Sequence, residues 1–290
     1  TCWICKSSDL SKVRSNKDTS SIKSSDFKIT DDNYGTTYDI FECRNCGFFQ
    51  CSDIPTVTSF YEEMVDESYV KTSFARSIQA RKIIKYIKKI KKNGKFLDVG
   101  AGSGILVEQA NYSGYIAEGI EPSKYLCKVA KEKLLEIHNG TLPNESIKKK
   151  YDVITLIDVI EHVTDPVDLV KNISQLLADE GVAIIVTPDV SSLASKIMGW
   201  KWWHFRKAHV GYFNLKTLDI CLNAAGLIRV RKSRPSWYLP FNYLIERLSR
   251  YIPKLLYLNK ILPNYVLDLS LPINLYDSYL IVVKKMYKNK

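Results

Sequence analysis

Four cysteines near the start of the chain fall into two pairs, Cys2-Trp3-Ile4-Cys5 and Cys43-Arg44-Asn45-Cys46-Gly47. Two residues between thiols let one tight turn aim both sulfurs at a single ion. Two such knuckles complete the tetrahedral sulfur site that zinc favours in a reducing compartment. With thiolate at all four positions no place is left for water, so the zinc expected on Cys2, Cys5, Cys43 and Cys46 is structural and not catalytic. The competing reading is a pair of redox or merely buried couples. Cys51 breaks the spacing and is left out of the set. The intervening residues 6–42, rich in Ser, Thr, Asp and Lys, are expected to form a long loop or strand excursion.

A second stretch with chemical content runs Lys95-Phe96-Leu97-Asp98-Val99-Gly100-Ala101-Gly102-Ser103-Gly104. It reads as a short buried strand, a glycine turn and the start of a helix. In that arrangement backbone amides can approach a ligand that no side chain obstructs. The third glycine follows after one residue where the dinucleotide fingerprint has two, and Asp98 would repel a pyrophosphate. A cationic ligand suits this loop better. Farther on, Glu121-Pro122 closes a strand at Tyr115-Ile116-Ala117-Glu118-Gly119-Ile120, and so places a carboxylate with two accepting oxygens at a strand end. Glu118 is the competing acid but lies inside the strand.

The residues suited to proton transfer come next. Tyr151-Asp152-Val153-Ile154-Thr155-Leu156-Ile157-Asp158 reads as a strand that runs into Val159-Ile160-Glu161-His162-Val163-Thr164-Asp165-Pro166. Asp165 and Pro166 suit the N-cap and first position of a helix. Asp158, Glu161 and His162 are thereby set at the carboxyl end of a central strand, where open parallel sheets bind ligands. A histidine near its ordinary pKa can take a proton from an attacking group. His162 is therefore the expected general base, with Glu161 orienting it; the plainer reading is that the pair only builds a turn. Beyond a strand at 182–187, on the same rim, lie Trp200-Lys201-Trp202-Trp203-His204-Phe205 and His209-Val210-Gly211-Tyr212-Phe213. Trp203, His204 and Tyr212 are expected to wall a substrate pocket and His209 to be the alternative base, with core packing an equal reading for the tryptophans.

Together these stretches resemble the S-adenosylmethionine-dependent methyltransferases. The segment from Leu97 to Gly104 is similar to their first motif, whose loop passes beneath the amino-acid end of S-adenosylmethionine. The resemblance implies cofactor contacts at Asp98, Gly100, Ala101, Gly102 and Gly104, at Glu121 and Pro122, and at Asp158. Asn139-Gly140-Thr141-Leu142 stands where the family usually carries a polar or acidic side chain against adenine. The Glu161-His162 stretch is similar to small-molecule enzymes, among them quinone-precursor O-methyltransferases and deoxysugar C-methyltransferases. In the sugar enzymes that pair is catalytic, and they too begin with a four-cysteine zinc module. The implied acceptor is a small molecule, sugar-like and nucleotide-linked or lipid-linked, methylated at oxygen or carbon. Tyr61 and Tyr69 lie in a stretch resembling the segment that covers the active site. Two other readings stay open. One is a ribosomal-RNA base methyltransferase, a group in which zinc modules and basic charge also occur but whose Asn-Pro-Pro-Tyr motif is missing after Leu156. The other is a non-catalytic scaffold that binds the cofactor.

These residues need elements to position them. Ile83, Ile84, Ile87 and Ile90 recur at helical spacing and Asn93-Gly94 ends that helix. The expected architecture is α/β: a seven-stranded, mostly parallel Rossmann-like sheet with an antiparallel last strand (residues 59–290), preceded by a zinc-binding module (residues 1–58). Residues 227–234 and 279–283 read as the last two strands. Between them, 236–276 is an insertion in which Phe241, Leu244, Ile245, Leu248, Ile252 and Leu255 repeat at helical spacing. A lid, a dimer contact or a membrane-surface helix would each produce that pattern. The 290 residues are 46% hydrophobic, with no apolar run approaching the roughly 18 residues of a membrane span and no signal-peptide pattern at the start. A cytoplasmic protein is expected, with membrane association through the insertion left open. The formal charge of +11 sits in lysine runs such as Lys148-Lys149-Lys150, read first as a solvated face and not as a nucleic-acid surface. Oligomeric state is not legible from the sequence.

Overall fold

Runs of β-branched and apolar residues such as Val153-Ile154-Thr155-Leu156 are buried on both faces, as strands of a sheet covered by helices must be. The computed structural model describes residues 1–16, 23–30, 34–52, 54, 57–249 and 252–286. Its strands are β1 (Leu10–Arg14), β2 (Ile40–Cys43), β3 (Phe49–Cys51), β4 (Gly94–Val99), β5 (Tyr115–Glu121), β6 (Ile137–Asn139) and β7 (Tyr151–Ile157). They continue with β8 (Leu177–Pro188), β9 (Gly211–Tyr212), β10 (Leu227–Ser233), β11 (Trp237–Pro240), β12 (Ser270–Ile273) and β13 (Ser278–Lys285). The helices used below are α1 (Val57–Glu62), α2 (Glu67–Lys71), α3 (Ser73–Lys88), α4 (Ile105–Tyr112), α5 (Lys124–Glu132), α6 (Pro166–Leu176), α7 (Leu193–Met198), α8 (Leu215–Ala224) and α9 (Phe241–Ser249).

Seven strands form the central sheet in the order β10-β13-β8-β7-β4-β5-β6, and β13 alone runs antiparallel to both neighbours. This is the α/β sheet expected from the sequence. The chain passes outward from β4 through β5 to β6, then returns to the other side of β4 with β7. The reversal opens a crevice beyond the carboxyl ends of β4 and β7, the position where such sheets bind ligands. Helices leave that rim from capped starts: Ser123 accepts from Leu126 N on α5, Asp165 from Asp168 N ahead of Pro166 on α6, and Asn214 from Thr217 N on α8. Each cap satisfies an amide that the first helical turn leaves open and fixes where the preceding loop must end.

The four cysteines lie beside an antiparallel sheet, β1-β2-β3-β9, whose last strand comes from residues 211–212, far along the chain. Packing crosses the division drawn at residue 58. Cys2, Cys43, Cys46 and Phe48 share one core with Leu156, Ile185 and Phe213 of the large domain, and the Phe48 and Phe213 rings meet at 4.9 Å between centroids.

The insertion is closed at its base by the antiparallel pair β11 and β12, with Trp237 opposite Ile273 and Pro240 opposite Ser270. Helical spacing in the sequence continues to Leu255, but α9 ends at Ser249 and Pro253 starts a separate 3-10 turn. Proline cannot occupy a helix interior without losing a hydrogen bond and meeting the preceding turn. The stem rests on α3, where Tyr238 N donates to Gln79 Oε1 at 3.2 Å. Among the described residues no helix is long and apolar enough to cross a membrane.

The shared core generates a test. Replacing Phe213 by Ala should cost about 3–5 kcal/mol, and thermal unfolding of both proteins should remain a single transition, followed by tryptophan fluorescence and by far-ultraviolet dichroism. Separate melting of the cysteine module in the unaltered protein would contradict a common core.

Candidate active site

The glycine loop follows β4 and bends through left-handed conformations at Gly100, Gly102 and Gly104. At Gly102 a side chain has no room, since a Cβ would lie 2.7 Å from the Tyr69 hydroxyl; at Gly100 it would lie 2.6 Å from a Val159 methyl. Tyr69 thus covers the loop. Its own position is set by Asp66, which caps α2 by accepting from Tyr69 N at 2.9 Å and takes two further bonds from Thr30, at 2.9 Å from N and 2.7 Å from Oγ1. The Arg76 guanidinium stacks on the far side of the network, 4.2 Å from the centre of the Tyr69 ring.

Three acids stand at the ends of neighbouring strands. Asp98 is 4% exposed and accepts from Thr155 Oγ1 at 2.6 Å; burial pushes its pKa up to about 7. Glu121, also raised by burial, accepts from Ser123 N at 2.9 Å on one oxygen and from Gly102 N at 2.8 Å on the other. Each oxygen keeps a second lone pair, so the carboxylate can still receive two hydroxyls. Asp158, in a left-handed conformation just past β7, has its Oδ1 buried without a partner, and burial lifts it to about 7 as well. Glu118 is spent elsewhere, on Lys149, His138 and Tyr151. Asn139 Nδ2 donates to the carbonyls of Glu121 and Pro122 and so fastens the loop after β5. Buried carboxyl groups at a glycine cradle fit a ligand bearing a positive charge and ribose hydroxyls, because desolvation has raised the cost of leaving the acids unpaired.

The imidazoles gather on the other side of the crevice. His162 Nδ1 lies 2.8 Å from the Ala208 carbonyl oxygen and 2.6 Å from the Tyr61 hydroxyl. A carbonyl only accepts, so the proton sits on Nδ1 and the Nε2 lone pair is left for another partner. Glu161 does not orient this ring, contrary to the sequence expectation. Its Oε2 accepts from Thr187 Oγ1 at 3.0 Å, and its Oε1 is buried with no partner. The two neighbouring side chains take different hydrogen-bond partners, and the bonds that hold the imidazole come from α1 and the loop before β9. The His209 ring meets His162 edge-on at 4.7 Å and stacks with His204 at 5.6 Å. His204 Nε2 lies 3.4 Å from Asp277 Oδ2, which also accepts from Trp202 Nε1 at 3.2 Å.

Burial pushes the His162 pKa down to about 3 and lowers His204 and His209, while Glu161 is raised. The ordinary imidazole pKa expected from sequence is therefore corrected: His162 is neutral throughout the physiological range. Ligand atoms of Glu161, His162 and His209 lie within 4.8 Å of one another. With Glu161 Oε1 and His209 Nδ1 both buried and unpartnered, this trio could hold a cation.

Tyr212 does not wall the crevice. It is 3% exposed, packs in a core cluster with Phe27, Tyr38 and Cys51, and its hydroxyl donates to the His209 carbonyl at 2.9 Å. The pairing of β9 with β3 turns it toward the cysteine module. Trp203 is half-buried at the edge of the same cluster with its ring 6.1 Å from His204, while Trp202 is fully buried. Asp277 was not anticipated. Its signal was present, since an acid directly before an antiparallel last strand must fall on the carboxyl rim of the parallel strands. The four thiols come together as their spacing suggested: Cys2 and Cys46 Sγ are 3.6 Å apart, Cys5 and Cys43 Sγ are 3.5 Å apart, and all four lie within 4.8 Å. A tetrahedron built on Zn–S bonds of about 2.3 Å has edges of about 3.8 Å, so the set fits a zinc ion.

Sheet order, glycine cradle and acid-ended strands define a Rossmann-like methyltransferase fold. The sequence profile of the methyltransferase domain family matches residues 72–231, and the chain belongs to that family. Among curated relatives, a ubiquinone biosynthesis O-methyltransferase of Haemophilus ducreyi is 33% identical over 113 residues, covering 33% of this chain and 48% of that protein. One of the same name from Pelagibacter ubique is 34% identical over 125 residues, covering 41% and 50%. The chain thus spans about half the length of the curated relatives it matches. A solved S-adenosylmethionine-dependent methyltransferase from Archaeoglobus fulgidus shares the fold at 18% identity with a TM-score of 0.51, covering 76% of this chain and all of that one (100%).

The buried acids predict a pH-linked affinity. Asp98 must be ionised to pair with a cation, and its pKa near 7 means that the pairing is complete above that pH and weakens below it. Calorimetric affinity for S-adenosylmethionine should rise with pH through about 7 and then level off, and Asp98→Asn should make the rise shallower, leaving the part due to Asp158. Glu121→Ala should weaken binding by about 1.5–3 kcal/mol for each hydrogen bond lost. Unchanged affinity in that variant would remove Glu121 from the site.

Proposed function

We propose that this protein transfers a methyl group from S-adenosylmethionine to a hydroxyl oxygen of a small molecule, with His162 removing the hydroxyl proton. The observation that carries this reading is the held, neutral imidazole: the Ala208 carbonyl accepts from Nδ1, which leaves the Nε2 lone pair to act as a base. Asp98, Gly100, Ala101, Gly102, Gly104, Glu121, Pro122 and Asp158 would hold the cofactor. When bound, S-adenosylmethionine would supply a methyl on positively charged sulfur; His162 would take the acceptor's hydroxyl proton as the oxygen gained that methyl, so the positive charge lost from sulfur would reappear on the imidazole. Buried groups that keep His162 neutral beforehand therefore face the same total charge after the step. That conservation lets a weak, desolvated base act where creating a new charge would be prohibitive. Tyr61 holds the ring and Tyr69 covers the loop, excluding water from the crevice.

The relatives' names favour oxygen as the methylated atom. We favour a saccharide acceptor, nucleotide-linked or lipid-linked, on the support of the four-cysteine cluster in front of the domain. In this reading residues 1–58 carry one structural zinc, residues 59–290 carry the chemistry, and the thiols point to the reducing cytoplasm. Turnover with labelled cofactor should appear with nucleotide sugars, lipid-linked saccharides or quinone precursors. Labelling of RNA alone would install the base-methylating alternative, and labelling of none would leave the scaffold reading.

A second reading is favoured by the unpartnered Glu161 Oε1 and His209 Nδ1. A divalent cation on Glu161, His162 and His209 would polarise the acceptor hydroxyl in place of a base. The two readings separate cleanly. With His162 as base, His162→Ala should lower kcat by about 10²–10⁴-fold with cofactor affinity nearly intact, and a chelator too weak to strip the four-cysteine zinc should leave turnover unchanged. Because its pKa lies at about 3, His162 should impose no acid limb between pH 5 and 8. Normal turnover by His162→Ala together with inactivity of His209→Ala would move the base to His209. Loss of turnover on chelation, restored by one divalent ion and abolished in Glu161→Gln, would install the cation.

Metal analysis should find about one zinc per chain, lost with Cys43→Ser together with thermal stability. Four freely titrating thiols in native, metal-free protein would sink the zinc assignment.

A further inference from the structure

The insertion between β10 and β13 fails to bury its own apolar residues. Among its described side chains only Ile245 and Leu267 reach full burial. Leu248, Ile252, Leu256, Tyr257, Ile261 and Tyr265 stand exposed, Ile261 at 69% and Tyr265 at 76%. The cause is local. Among the described residues between α9 and β12 the helical pieces are short, Pro253–Tyr257, Leu258–Ile261 and Asn264–Leu267, too brief to press one continuous face onto the domain. Six large apolar side chains of one short segment are thus left in water, where clustered apolar exposure marks an interaction surface.

Charge shows what covers it. From residue 252 to residue 265 the charged residues are Lys254 and Lys260, with no acid among them. Both are exposed, and Lys260 Nζ lies 5.5 Å from the centre of the Tyr257 ring. Lysine is depleted in the buried cores of protein interfaces. At a bilayer surface it is favoured, because its apolar stem follows the hydrocarbon while the ammonium reaches anionic headgroups, and tyrosine prefers the same depth. We infer that Leu248 and residues 252–265 dock this protein onto an anionic lipid bilayer by shallow insertion of these leucine, isoleucine and tyrosine side chains. The stem then places the active site beside the membrane, since β12 leads within a few residues to Asp277, whose carboxylate accepts from Trp202 and lies against His204. This deepens the lipid-linked reading of the acceptor and rests on that reading for its purpose, though not for the docking itself.

The test uses the full chain with zinc retained and neither cofactor nor acceptor present. Flotation is measured with vesicles of phosphatidylglycerol and phosphatidylethanolamine, and with vesicles of phosphatidylcholine alone. The protein should float with the anionic vesicles, release as salt is raised, and remain largely unbound with phosphatidylcholine. A Tyr257→Glu/Ile261→Glu double variant and a Lys254→Glu/Lys260→Glu double variant should each lower partitioning about tenfold or more. Melting temperature and cofactor affinity should stay as in the unaltered protein. Failure to float with anionic vesicles would overturn the inference, as would unimpaired flotation of the Tyr257/Ile261 variant. A lipid-free dimer seen by light scattering and dissolved by that variant would assign the face to a second copy of the chain instead. A protein that floats but methylates no acceptor would refute the acceptor reading and leave the docking surface standing.

Discussion

The glycine loop lies against β5 because Gly119 has no side chain. A Cβ at that position would sit 2.6 Å from Ala101 Cβ and 2.8 Å from a methyl of Ile137. With that space open, Gly100 N and Ala101 N reach the Ile120 carbonyl at 2.9 and 3.1 Å, and Gly102 N reaches Glu121. The loop, the acid after β5 and the start of α4 are thereby locked to one another before any ligand arrives. The acid at the end of β4 is held separately by Thr155 of β7, and the covering ring of Tyr69 by the Asp66 cap. Tight packing of backbone on backbone is thus the constraint on which the geometry of the crevice rests.

Desolvation then sets the electrostatics. Carboxyl groups at three strand ends are driven toward their neutral forms, and the imidazoles opposite are held neutral by the same burial. A cationic ligand restores charge to the acids, and the field it meets is made of groups already fixed in place, so little reorganisation remains for the reaction itself.

Much of this was legible in the sequence where function depends on neighbours along the chain. The cysteine pairs, the glycine loop with Asp98, and Glu121 at the end of its strand each carry their meaning in a few consecutive residues, and the sheet followed from them. What holds His162 was not legible. Tyr61 lies 101 residues away and Ala208 lies 46 residues away, and no local pattern announces a hydroxyl or a carbonyl in the right place. Tyr212 misled for a related reason. Its stretch read as part of an aromatic wall, but a two-residue pairing with β3, set by tertiary packing, turned the ring toward the cysteine module. The insertion kept its helical period through Leu255, yet a single proline outweighed that period.

Strand β9 belongs to both halves of the molecule. One edge of it completes the sheet beside the four thiols, and the residues just before it, Ala208 and His209, hold and adjoin the imidazole of the active site. In evolutionary terms the cysteine module is not an ornament that lineages could add to or remove from a finished enzyme. A gene fusion that exchanged the first fifty residues would also have to rebuild the loop that sets the proton on His162. The module and the loop that carries Ala208 and His209 must therefore vary together, and a lineage that loses the thiols should be found to have redesigned the segment from 202 to 213.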